Sequence, residues 1–388
     1  MKICIVSLFL PYEKAGHAGG RFVFEMLKIL SRQNEIYLVT RLEESEFPFL
    51  DSLRPYCREI HHYSYKTTVK RDLLEAIRLI INYIGFSRFA DRIINNGNFD
   101  IVQVEWVEAG LMLKKRKVPM IVDAHDVITK PAERNAGNAR GLRKCTALLL
   151  FYAVKHLELF ILNKFDMIFT RSDYDRKYLL NFKQGSVIDV IPHPAGLDIT
   201  EREYGIQGNT ILFLASYKYR RVNVNAVLYF YNEIFPLVRE KVPDAVFIAA
   251  GYGPPEELRS LAENNSHIQV PGFVDNIDKC YKQAAVFVAP ILVGGGIIVK
   301  ILDAMAAGKP VVTTSYGNEG IGALADRDLL VKDDPESFAA AVIKLMTDQD
   351  FASQLAQNGR KFVRQHYSPE ALVLKLEESY HDLLQRRS

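Results

Sequence analysis

The sequence predicts an α/β chain made of two doubly wound, mainly parallel sheets. Three observations carry that prediction. The chain is 388 residues long, more than one ordinary domain holds, so two domains are expected. Short apolar runs alternate with helix-length amphipathic segments almost throughout, the pattern of right-handed βαβ units. Finally, the alternation falls into two series of similar size, separated by the polar stretch Pro192 to Asn209.

Strands of the first series are expected at "KICIVSLF", "EIYLVT", "DIVQVEW", "PMIVDAH", "MIFTR" and "SVIDVIP". The opening run reads as a buried strand rather than a leader peptide. It is short, ends at Pro11, and is followed by glycines and the helical pattern "RFVFEMLKIL". Amphipathic segments such as Arg71 to Asn95 fill the gaps. The second series comprises "NTILFLAS", "AVFIAAG", "IQVPGF", "AVFVAP", "PVVTT" and "DLLV". The expected domains are residues 1–195 and 196–368, with a last helix in 369–388 packing back on the first domain. Ligands of doubly wound sheets bind beyond the carboxyl ends of the strands, so the site is expected in a cleft between the domains.

Composition narrows the function. Hydrophobic residues make up 48% and charged residues 24%, as in a folded soluble protein. A net charge of +3 is nearly balanced and does not argue for nucleic acid as a partner. Cys4, Cys57, Cys145 and Cys280 stand at no metal-ligand spacing, and reduced thiols in a cytoplasmic protein are expected. The longest apolar stretch, "TALLLFYAVKHLELFILN", is interrupted by Lys155, His156 and Glu158, so no membrane span is expected.

The most informative stretch is "GGGIIVKILDAMAAGKPVVTT", Gly294 to Thr314. Glycines let backbone N–H groups approach a ligand, and the first turn of a helix offers unpaired donors and partial positive charge, a combination suited to phosphate. Gly294, Gly295, Gly296, Ile297 and Ile298 form the approach, Lys300 adds a charge, and Asp303, about two turns in, is spaced to meet ribose hydroxyls. A tight turn with a solvated aspartate fits the same residues.

This segment resembles the nucleotide-sugar site of retaining glycosyltransferases with two Rossmann-like domains (the GT-B fold), specifically family 4, or group 1. "DAMAAGKPVV" is similar to that family's "EAMA.G.PVV", with Asp303 in the second acidic slot. The first acidic slot falls on Gly295, and Ile298 stands where a related subgroup has arginine. The similarity runs in order through "PYEKAGHAGGRFVFEMLKIL", "FDIVQVEW", "IVDAHDV", "VIPHPAGLDI", "FIAAGYGPPEELRSLA", "VPGFVDNIDKCYKQAAVFVAP" and "SYGNEGI". By that resemblance Gly19 and Gly20 face the sugar phosphate or acceptor, the base packs near Gly272, Phe273 and Val274, and Asp303 holds the ribose. Lys218, Arg220 and Arg221, in "ASYKYRRVNVNA", are candidates for the leaving diphosphate; a solvated basic loop is the alternative.

The resemblance implies transfer from a UDP- or GDP-linked sugar to a glycan or lipid-linked acceptor. Negative charge then builds on the departing diphosphate, and a preorganised donor can be worth ~10²–10³ in rate. A helix start with basic side chains supplies that without a metal, and no cofactor is expected. The Asp-x-Asp sequences at Asp173, Asp326 and Asp348 do not follow strands as a metal site prefers. His125, just past a strand, is the catalytic candidate, with Asp126 orienting its ring. Asp123 and Glu105 are further strand-end acids, and His193 is assigned to the interdomain turn. Basic and apolar faces in Arg71 to Asn95 and Arg140 to Lys164 suit either packing on the sheet or peripheral contact with the inner face of an anionic membrane. A non-catalytic nucleotide-binding subunit and a nucleotide-sugar epimerase on the same scaffold remain the rival readings.

Overall fold

The structure is a computed structural model that describes residues 1–13, 15, 18–65, 73–195, 208–218, 220–293 and 297–386. It divides into two compact units, Met1–His193 with Leu372–Ser388, and Pro194–Ala371.

The first unit holds a seven-stranded sheet. Its strands are β1 (Lys2–Ser7), β2 (Glu35–Glu43), β3 (Glu59–Tyr65), β4 (Ile101–Glu105), β5 (Met120–Ala124), β6 (Met167–Thr170) and β7 (Val187–Val190). The spatial order is β3-β2-β1-β4-β5-β6-β7, every pairing is parallel, and the order reverses between β1 and β4. Period-two alternation sorts the side chains. Ile3, Ile5, Ile101, Ile121, Met167 and Phe169 pack on one face with the helix Ala18–Leu30. Cys4, Val6, Val102, Val104, Val122 and Ile168 pack on the other, with Phe86, Ala90, Ile161 and Leu162.

β3 has no counterpart among the expected strands. Its sequence, EIHHYSY, is polar and half-exposed, because an edge strand needs little apolar surface. The last helix, Pro369–Gln385, buries Leu372, Val373, Leu376, Tyr380 and Leu383 on the first face of this sheet. At about 1.5–3 kcal/mol for each fully buried large apolar side chain, that stripe is ample to hold the helix there.

The helix Leu142–Leu162 corrects the expectation of an interrupted apolar stretch. It runs unbroken through Lys155, His156 and Glu158 and is, by length and composition, apolar enough to cross a membrane. Glu158 is nevertheless buried against protein. Its carboxylate accepts from the backbone N–H groups of Ile128 (2.9 Å) and Thr129 (3.1 Å), which ties the helix to the folded unit. The opposite face leaves Leu149, Leu150, Tyr152, Leu157 and Phe160 exposed.

The second unit holds β8 (Thr210–Leu214), β9 (Val246–Ala250), β10 (Ile268–Gly272), β11 (Val286–Ala289), β12 (Val311–Thr313) and β13 (Leu330–Val331). Their order is β10-β9-β8-β11-β12-β13, again all parallel, reversing between β8 and β11. The strands are nearly continuous apolar runs because helices cover both faces of such a sheet. The helix Val299–Ala306 follows β11 and stops where Gly308 takes φ +68°, a left-handed turn that glycine adopts without steric cost.

Candidate functional site

In the first unit, polar side chains gather at the carboxyl ends of β4, β5 and β6, beside the point where strand order reverses. Glu105 ends β4 and is in register with Asp123 on β5; His125 follows β5 and Arg171 follows β6. All four are buried. His125 Nε2 lies 2.7 Å from Glu105 Oε2, and Arg171 Nη2 lies 3.0 Å from His125 Nε2, 3.2 Å from His125 Nδ1 and 2.6 Å from Asp123 Oδ2. Facing an ionised Glu105 carboxylate, Nε2–H donates to it, while the Arg171 amino group lies against both ring nitrogens.

Trp106 fixes the ring from the side, stacked on it at 4.0 Å with planes 9° apart. It does so with φ at 72°, a costly backbone for a bulky residue and the kind of strain found at functional sites. Gly19 lies in the first turn of the helix Ala18–Leu30 together with Gly20, rather than in a loop. A Cβ on Gly19 would come 2.8 Å from the Trp106 ring and 3.1 Å from His125 Nδ1. Its lack of a side chain therefore makes room for the ring pair.

Burial governs the acids. It pushes Asp123 up to about 6, with Arg171 and His125 opposing, and raises Glu105 against the pull of Arg171 and Gln103. Glu105, Asp123 and His125 bring ligand atoms within 4.8 Å of one another, but the Arg171 guanidinium already stands beside them and supplies the cation. The carboxylate at 2.7 Å from the ring is that of Glu105, the part expected of Asp126, which is exposed. His193, expected only in a turn, has its ring 5.8 Å from that of His125.

In the second unit the predicted donor residues that the structure describes fall at and beyond the carboxyl ends of β8, β10 and β11, and β8 and β11 flank the reversal of strand order. Gly294, Gly295 and Gly296 lie outside the described residues. Ile297 and Ile298 are half-buried and pack against the core; Ile298 precedes the helix Val299–Ala306 and provides no side-chain cap, leaving first-turn amides for another acceptor. Asp303 is half-buried, the fifth residue of that helix and one turn in, three positions after Lys300 and so on a neighbouring face.

Lys300 is the best defined of the group. Its Nζ donates to Asn223 Oδ1, while Asn223 Nδ2 donates to the Ser216 carbonyl at 2.6 Å, which links the helix to the loop after β8. The Nζ also sits 5.0 Å from the centre of the Phe213 ring. Burial, then repulsion from Arg220, lowers Lys300 to about 8. Arg220, just before the helix Arg221–Tyr229, and Lys218, 3.4 Å from the Tyr252 hydroxyl, are exposed. Arg221 belongs less to the group: it pairs with Glu257 on the adjacent helix Glu256–Asn264. Gly272 has φ +76°; after it Phe273, 67% exposed, stands edge-on to Tyr252 at 6.2 Å, and Val274 packs on the core.

Gln103, Trp106, Arg171 and Tyr380 were not singled out from the sequence. Trp106 is the chain's one tryptophan and directly follows a strand, a signal that was available.

Residues 208–348 match the family model described as glycosyl transferases group 1. An uncharacterized 44.6 kDa protein in the cps region of Klebsiella pneumoniae is 24% identical, covering 94% of this chain and 96% of its own. A phosphatidyl-myo-inositol mannosyltransferase of Mycolicibacterium smegmatis is 29% identical over 46% of this chain; that alignment spans about half of the relative, 49%. Among solved structures, sucrose-phosphate synthase of Thermosynechococcus elongatus superposes with a TM-score of 0.64 at 16% identity, over 100% of both chains. Anabaena HepE in complex with UDP-glucose gives 0.58 at 13% identity, over 98% of this chain and 100% of that one. Two parallel, doubly wound sheets give the chain the GT-B fold of these structures, and the group 1 glycosyl transferase match over residues 208–348, across the second sheet, is that of a transferase.

Proposed function

We propose that the enzyme moves a sugar from a nucleoside diphosphate carrier to a glycan or lipid-linked acceptor, with retention at the anomeric carbon and without a metal ion. The observation that carries this reading is Lys300. A half-buried ammonium lowered to about 8, beside Arg220 and an uncapped helix start at the sheet's reversal point, is a site prepared for an anion. A diphosphate satisfies both cations and the amides, and Asp303 accepts from ribose hydroxyls. As the glycosidic bond breaks, Lys300 and Arg220 stabilise charge on the leaving phosphate. HepE, solved with UDP-glucose, supports a donor of this class.

His125 then orients the sugar and the acceptor. Glu105 and Arg171 both contact the ring nitrogens, so the ring is held rigidly rather than left poised to take a proton. In a retaining reaction on one face of the sugar, the departing phosphate can receive the acceptor's proton. The mannosyltransferase relative, named for phosphatidyl-myo-inositol, favours an acceptor on a lipid. The exposed Leu149, Tyr152 and Phe160, with Arg143 and Lys144 at the start of the same helix, suit the inner face of an anionic membrane. A cytoplasmic setting is part of the same reading.

The test is a panel of nucleoside diphosphates and their sugars screened by thermal shift, followed by acceptor screening with the best donor in EDTA. Transfer that persists in chelator and keeps the donor's anomeric configuration is expected. Tight nucleotide binding with no turnover across acceptors would favour the non-catalytic reading, and an isomer released without acceptor would favour an epimerase.

A further inference from the structure

The last helix reaches the His125 cluster through an unbroken line of buried hydrogen bonds. The Tyr380 hydroxyl donates to Gln103 Oε1 at 2.5 Å, Gln103 Nε2 donates to Glu105 Oε1 at 2.6 Å, and the other oxygen of Glu105 is 2.7 Å from His125 Nε2. Tyr380, Gln103 and Glu105 are wholly buried, so no water substitutes for a missing link. An amide presents a donor at one end and an acceptor at the other. Once Tyr380 donates to the Gln103 oxygen, the amide must turn its N–H toward Glu105; reversed, it would set a carbonyl against a carboxylate.

We propose that Tyr380 is a positioning residue: through Gln103 and Glu105 it holds the His125 ring in one orientation and one protonation state. The inference rests on the reading of His125 as the residue that meets substrate. Groups facing that ring are Glu105 from β4, Asp123 from β5, Arg171 after β6, His193 after β7 and, through the chain of bonds, Tyr380 from the last helix. Without the tyrosine hydroxyl, Gln103 loses its lock. Glu105 then loses a donor, takes up a proton more readily, and stabilises a charged imidazole less.

The experiment is ¹⁵N NMR of the full-length protein labelled at histidine, with the His125 signals assigned from their loss in His125→Ala. In Tyr380→Phe the His125 titration midpoint should fall by about half a pH unit or more, with a changed balance of the two ring-nitrogen shifts. Leu383→Ala, which removes apolar packing from the same helix but no hydrogen-bonding group of the chain, should leave both unmoved. An unchanged midpoint and tautomer in Tyr380→Phe, or an equal change in Leu383→Ala, overturns the proposal. If Tyr380→Phe fails to fold, Gln103→Leu breaks the next link and is read by the same criteria. The NMR response is independent of whether His125 meets a substrate, which turnover by His125→Ala tests separately.

Discussion

Replacing Lys300 with methionine should move stability and affinity in opposite directions. The side chain is half-buried, and desolvation lowers its ammonium from the ordinary 10.5 to about 8. A base with a depressed folded value is penalised while charged: the unfolded chain holds the proton more tightly between about pH 8 and 10.5, so stability rises with pH across that window and the full cost applies below it. Lowering of that size corresponds to about 3 kcal/mol. Lys300→Met removes the charge and keeps most of the volume, so its melting temperature at pH 7 should equal or exceed the parent's. Affinity should fall, since a hydrogen bond to a charged partner is worth about 1.5–3 kcal/mol, roughly a 10- to 150-fold weakening of UDP or GDP. A second signature comes from pH. With a value of about 8, Lys300 is about nine-tenths protonated at pH 7 and about one-tenth at pH 9, so the parent should lose ~10-fold in affinity across that range. The variant should lose little of its remaining affinity, which cancels any contribution from the nucleotide's own titration. Isothermal calorimetry at both pH values reads all of this. Unchanged affinity in the variant, or the same pH dependence in both proteins, would refute the reasoning.

Three further outcomes are expected. Asp303→Ala should weaken nucleoside diphosphates by about 10-fold or more in calorimetry, with little effect on 2′,3′-dideoxy analogues; equal losses for both would remove the ribose role. His125→Ala should lower turnover by about 100-fold or more while leaving the donor Kd unchanged, and parental turnover would rule out the assigned role. The protein should co-sediment with anionic liposomes and less so with neutral ones, and Leu149→Glu with Phe160→Glu should release it; binding indifferent to lipid charge and to these changes would end the membrane reading.

The sheets were legible because their strands are buried on both faces, and "ICIVSLF" or "AVFVAP" has few alternatives once helical patterns flank it. β3 was not, because EIHHYSY takes its order from pairing with β2 rather than from its own apolar content. At the site, local placement was legible: His125 falls just past a strand end, and Lys300 and Asp303 on one helix. What sequence spacing could not give was the meeting of distant residues. Glu105 and Arg171 reach His125 only because β4, β5 and β6 are neighbours in the sheet, and Tyr380 reaches Gln103 from 277 positions away. Asp126 was favoured as the ring's partner because it is adjacent in sequence. His125 and Asp126 lie in a bend just past β5, whereas the parallel register sets Glu105 beside Asp123, two positions before the ring.

The central claim is that the second unit grips a nucleotide sugar by its diphosphate. A crystal structure with bound UDP, GDP or a corresponding sugar conjugate tests it most directly. Phosphate oxygens within hydrogen-bond reach of Lys300 Nζ and the first turn of Val299–Ala306, with ribose hydroxyls on Asp303, are predicted. A nucleotide bound elsewhere, with those groups untouched, would contradict the account.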